Sequence, residues 1–151
     1  MTIPDYDTDF YGWTQQQAAA LRAKDWAAVD IEHLAEEVDD LGRSIRKGLE
    51  SQLERLLVHL LKWRYDPAQD PRRLWRLSLL DARHEIGKHL AENRTLRGFP
   101  AERLADAYRY ARRVAAIETD LPPVTFPDAC EWTVAQVLDE DFWPEPGWSQ
   151  P

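Results

Sequence analysis

The 151-residue chain is poor in the residues that build the commonest small sites. It has one cysteine, Cys130, which excludes an internal disulfide and any zinc site built from several cysteines. No apolar run exceeds four or five residues, far short of the roughly 20 needed to cross a bilayer. The opening MTIPDYDTDF lacks a basic and an apolar leader segment, so no signal peptide is expected. Six glycines and ten prolines are too few and too scattered for low complexity. Residues 114–151 contain no lysine or arginine. H-E-x-x-H, the phosphate-binding P-loop, G-x-S-x-G and G-x-G-x-x-G are all missing, so no complete catalytic set can be named. These absences lead to the expectation of a cytoplasmic protein without cofactor, metal or membrane partner.

Charge is present but segregated. Residues 1–42 hold ten acids and two bases, and residues 114–151 hold eight acids. Residues 71–113 hold eleven bases and five acids. Either the acidic ends neutralise the basic middle, or Arg72, Arg73, Arg76, Arg109, Arg112 and Arg113 form an anion-binding face. A net charge of −8 disfavours nucleic acid, whose usual binder is a basic domain. Binding through basic third and fourth helices is the weakest of the alternatives.

Helical periodicity runs through the chain. A first helix is expected from Asp7 or Thr8 to about Arg22. A long second helix is capped by Asp30 and ends near Tyr65. Its apolar positions are Leu34, Val38, Leu41, Ile45, Leu49, Leu53, Leu56 and Leu60, in steps of three and four that place them on one stripe, expected to be buried. Gly42 and Gly48 could bend or break it. Asp70 and Pro71 read as cap and first residue of a third helix with Trp75, Leu79, Ala82, Ile86 and Leu90 on one face. Pro100 opens a fourth, and Asp128 is positioned to cap a short fifth. The tail 142–151, FWPEPGWSQP, is expected to be irregular, anchored by Phe142 and Trp143. The fold class is therefore all-α: one domain over 1–151, a bundle of about five helices.

The stretch HLAEEVDDLGR, His33 to Arg43, offers the densest set of candidate ligands. His33, Glu37 and Asp40 share one flank of the second helix and could hold a divalent metal with help from another helix. The competing explanation is that acids gather in the first turns because the helix dipole favours them there. The Glu-x-x-His motif of di-iron bundles is absent, and so is the second acidic pair of the all-α pyrophosphatases. The stretch is read as structural, with Glu37 the residue to follow.

Polar side chains on apolar faces are more informative, because buried polar groups need partners. Glu37, Gln52, His59, Arg83 and Glu118 are the ligand-binding candidates. They are expected to meet, at least in part, as a network between the second, third and fourth helices, which either fixes helix register or forms a pocket for a small anion. Cys130 has no histidine near it in sequence and reads as a buried structural thiol. His84 faces away from its helix's stripe and is expected to be exposed.

Several segments carry a resemblance. They are Asp9-Phe10 before Trp13, Leu34-Ala35-Glu36-Glu37, Leu41-Gly42, His59-Leu60-Leu61-Lys62-Trp63, Arg83 with Ile86, Glu118-Thr119, and Phe126-Pro127 before Cys130. Together, from about Tyr6 to Trp143, they resemble the domain-of-unknown-function family twenty-nine. The departures, Asp66-Pro67, Arg94-Thr95-Leu96 and Cys130-Glu131, fall in loops. The resemblance implies a small, bacterial, mainly cytosolic, all-helical domain. It implies no activity and supplies no catalytic residue. The functional expectation is a non-enzymatic interaction module that binds an unidentified protein partner or self-associates. The alternative is an enzyme or small-anion binder using the inter-helix polar cluster.

Overall fold

The structure is a computed structural model and describes residues 3–147. Among these, every regular element is helical. Contacts gather into two compact units, Met1–Ser44 and Ile45–Pro151.

In the first unit, α1 (Phe10–Ala23) starts later than its sequence suggests. The Asp5 carboxylate accepts from the Asp7 and Thr8 amides at 2.7 and 3.2 Å and holds those residues in a turn. Asp9, not Asp7 or Thr8, is the cap, accepting from the Gly12 amide at 3.0 Å. Glycine suits this position: a Cβ on residue 12 would crowd the capping Asp9 carboxylate and the Pro4 ring. The helix closes on Lys24 at φ 56°, in the left-handed region. Trp13, Gln17 and Ala20, spaced four and three, are its buried face. A 3-10 turn, Trp26–Ala28, leads to the next helix.

The long helix α2 (Ile31–Tyr65) is continuous through Gly42 and Gly48. Asp30 caps it, accepting from the His33 amide. Its stripe divides into two parts. Leu49, Leu53, Leu56 and Leu60 are buried, as expected. Val38 and Leu41, however, are 64% and 66% exposed, Ile45 is exposed and Leu34 is half-buried. Periodicity shows which face is apolar but not whether anything covers it. The first unit's other helix is short and buries only Trp13, Gln17 and Ala20.

In the second unit the buried leucines of α2 pack with Leu79, Ala82 and Ile86 of α3 (Arg72–Glu92). Ala107, Tyr108, Ala111 and Ala115 of α4 (Phe99–Thr119) join the same core. Burying each leucine contributes roughly 1.5–3 kcal/mol, and six of them on α2 make that segment the axis of the unit. Asp70 does not cap α3. It sits in a turn closed by the Arg72 amide on the Gln69 carbonyl, and Pro71 occupies the cap position without a side-chain bond. The fifth helix is α5 (Val134–Leu138), shorter than expected because Thr133 and Gln136 form a reciprocal capping box that fixes its start; Asp128 takes no part.

Arginines fasten the connections. Arg72 donates to the Trp63 and Asp66 carbonyls, and Arg112 donates to the Phe126 and Pro123 carbonyls. Arg112 also pairs with Asp128, and Lys62 with Glu118. Part of the basic middle is thus engaged by main-chain carbonyls and C-terminal acids. Phe142 and Trp143 pack against the core, the expected anchors of the tail. Trp63 Nε1 donates to the Pro144 carbonyl at 3.1 Å, and the Gly147 amide donates to the Arg64 carbonyl at 2.8 Å. The rest of the expected tail, 148–151, lies outside the described residues.

Candidate functional site

The acidic stretch of α2 resolves into separate local partnerships. The Tyr6 hydroxyl donates to Glu37 Oε1 at 2.5 Å, and this bond is the main reason its pKa is pushed up to about 12. The Tyr6 ring stacks on the His33 imidazole, with centroids 3.9 Å apart. His33 Nδ1 meets Asp30 Oδ2 at 2.6 Å. That contact is the largest cause of a raised His33 pKa and of a lowered Asp30 pKa. Asp40 pairs with Arg43. The three flank residues His33, Glu37 and Asp40 therefore each hold a different partner.

Beneath this lies a residue that sequence reading missed. Gln17 is 4% exposed. Its Oε1 accepts from the Asp30 amide at 2.6 Å, and its Nε2 donates to the Ala28 carbonyl at 3.2 Å. Trp13 Nε1 donates to the same Asp30 carboxylate at 3.2 Å. The signal was available: Gln17 stands between Trp13 and Ala20 at helical spacing, so it belongs to the buried face.

Of the five candidate residues, Glu37 belongs to the first unit, bonded to Tyr6. The other four lie in the second, where His59 and Glu118 share a hollow. That hollow, about 240 Å³, is lined also by Ser51, Glu54, Arg55 and Tyr110. His59 Nδ1–H donates to the Arg55 carbonyl at 2.8 Å, and burial lowers its pKa, leaving Nε2 as an acceptor. Glu118 is held by Lys62. Glu54 is pushed up, first by burial and then by Glu50. The hollow carries both signs of charge and so has no evident preference for an anion. Arg83, 3% exposed, donates through Nε to the Val137 carbonyl at 2.9 Å and lies over the Trp143 ring. Its two Nη groups and Gln52 Oε1 are buried with no hydrogen-bond partner among the described residues. Arg83 thus closes the end of α5 and is not a lining residue of the His59 hollow. Cys130 is half-buried, with Sγ 3.4 Å from the Trp132 carbonyl, and burial raises its pKa.

The first unit also carries an open groove of about 570 Å³. Leu21, Trp26, Ile31, Leu34 and Val38 supply its apolar lining, with Asp39 at the rim. Ile31 and Trp26 are 71% and 65% exposed. Scattered apolar residues are normal on any surface, but a contiguous row marks an interaction site more often than not.

Fold and surface together define a class: an all-helical protein in two compact units, with an open apolar groove in the first. Among the described residues no helix is long and apolar enough to cross a membrane. Over residues 6–143 the chain matches the domain of unknown function DUF29, and it belongs to that family. No curated protein and no solved structure matches it.

Proposed function

We propose that the protein is a non-enzymatic protein-interaction module and that the groove of the first unit is its docking surface. The observation that carries this reading is the apolar row Ile31, Leu34, Val38 and Leu41, exposed except for the half-buried Leu34, beside Leu21 and Trp26. Leaving such side chains in water forgoes roughly 1.5–3 kcal/mol each, a cost that a binding partner removes. The polar candidates support the same view, since Glu37 and Arg83 are engaged within the chain. The test is cross-linked affinity purification from the native host, comparing the wild-type chain with a Val38→Gln/Leu41→Gln double variant. A stoichiometric protein retained by the first and lost by the second is the expected result. Equal retention by both refutes the assignment of this face.

A further inference from the structure

We propose that the occupant of the groove is a second copy of this chain, a partner class that rests on the interaction reading, with the two copies' α2 helices running parallel in a short two-stranded seam.

The exposed residues Ile31, Val38 and Leu41, with the half-buried Leu34 between them, follow steps of three, four and three, the alternation of coiled-coil positions a and d. The identities are specific as well. Position a is β-branched in both heptads, Ile31 and Val38, and position d is leucine in both, Leu34 and Leu41. That combination favours two parallel strands over higher assemblies.

The charges fit the same arrangement. In this register position e is Ala35 and Gly42, small and neutral, so neighbouring backbones can approach. Position g is Asp30 and Glu37. Both are already bonded inside the unit, Asp30 to His33 and Trp13, and Glu37 to Tyr6. Glu32, Glu36 and Asp40 fall at b, f and c, away from the seam, and Asp39, at the other b, stands at the groove's rim. An acidic helix therefore meets its own copy without like charges opposed across the contact.

The area is sufficient. Leu21, Trp26, Ile31, Val38 and Leu41, 42–71% exposed, together present on the order of 500 Å² of apolar surface, at the upper end for an ordinary monomer. Twice that, about 1,000 Å², meets the threshold for a biological interface and falls in the size class of weak, reversible contacts. The contact is the same patch on both copies, so it closes as a two-fold dimer and does not propagate.

Sedimentation equilibrium of the full chain at low and moderate salt tests this. A dimer is expected, tightening as salt rises, because residues 1–42 carry ten acids and two bases per copy and screening relieves their mutual repulsion. The Val38→Gln/Leu41→Gln variant should dissociate about a hundredfold more readily, each change counting twice across the axis. Both side chains are exposed in the single chain, and circular dichroism checks that the variant keeps its helices. A Cys130→Ser/Val38→Cys chain should form an intermolecular disulfide, since a parallel seam sets residue 38 against its own mate. A monomer up to about 100 µM, a dimer indifferent to the double variant, or one that weakens with salt overturns the seam. A dimer without the Val38→Cys cross-link overturns its parallel direction. If the chain is monomeric yet loses a host protein on double substitution, the seam fails and the interaction reading stands. If neither assay responds, both fall.

Discussion

Gln17→Leu should destabilise the first unit almost as much as Gln17→Ala, although leucine matches glutamine in size and is the more hydrophobic. Gln17 is 4% exposed and holds two main-chain groups, the Asp30 amide at 2.6 Å and the Ala28 carbonyl at 3.2 Å. A net intramolecular hydrogen bond contributes about 1 kcal/mol, and a buried group left unpaired costs about 1–3 kcal/mol. Ala28 is exposed and Asp30 only half-buried, so water can partly replace the lost partner and the lower end applies. The two bonds together come to about 2 kcal/mol. Gln17→Ala adds the loss of packing, for about 3 kcal/mol in all. Such a loss is large for a segment whose buried apolar side chains are Trp13 and Ala20. Amide hydrogen exchange in α1 and in the first turns of α2 reads it directly. If the leucine variant exchanges as slowly as wild type, the side chain acts by filling space, and the hydrogen-bond argument is wrong.

Arg83→Met should cost at most about 1.5 kcal/mol and Arg83→Ala about 3 kcal/mol in a denaturant melt. Methionine keeps a long apolar stem at this buried position, while the guanidinium that lies over the Trp143 ring has two nitrogens buried without a hydrogen-bond partner among the described residues; equal losses would contradict this. The pair His33–Asp30 sets a pH window. The raised His33 pKa contributes stability present below the unfolded value of 6.5 and lost as pH rises through the folded one. The lowered Asp30 pKa contributes stability present above the unfolded 3.8 and lost as pH falls through the folded one. Between these limits both contributions act, and an NMR titration placing His33 at or below 6.5 would refute the pairing. Cys130, whose pKa burial raises, should react with a disulfide reagent at pH 7 more slowly than a free thiol; a rate at or above that of the free thiol would count against its burial.

Much of the second unit was legible because periodicity and burial coincide there. Leu49, Leu53, Leu56 and Leu60 of α2 and Leu79, Ala82 and Ile86 of α3 are buried where the spacing put them. The same rule failed at Val38 and Leu41. Amphipathicity is a property of one helix, and coverage is a property of its neighbours. Caps were harder to place, because several acids or hydroxyls compete within a few residues: Asp9 prevailed over Asp7, and Thr133 over Asp128. The polar candidates were found individually but not as one cluster. A wheel can place His59 and Arg83 near an interface, but it cannot show that one bonds the Arg55 carbonyl and the other the Val137 carbonyl. The Tyr6–His33 stack joins residues from opposite sides of α1, and no local pattern encodes it.

The arginine fastenings bear on which parts of this sequence are free to drift. Arg72, Arg83 and Arg112 grip main-chain oxygens of Trp63, Asp66, Val137, Phe126 and Pro123. A carbonyl is supplied by any amino acid, so the hold on Asp66 and Pro123 does not depend on their side chains, whereas Trp63 in α2, Val137 in α5 and Phe126 are kept by the core as well. The obligation falls wholly on the arginines, whose forked donors lysine does not reproduce. Among related chains, the loops at Asp66 and Pro123 should vary in side chain but little in length, while the guanidinium opposite each one persists.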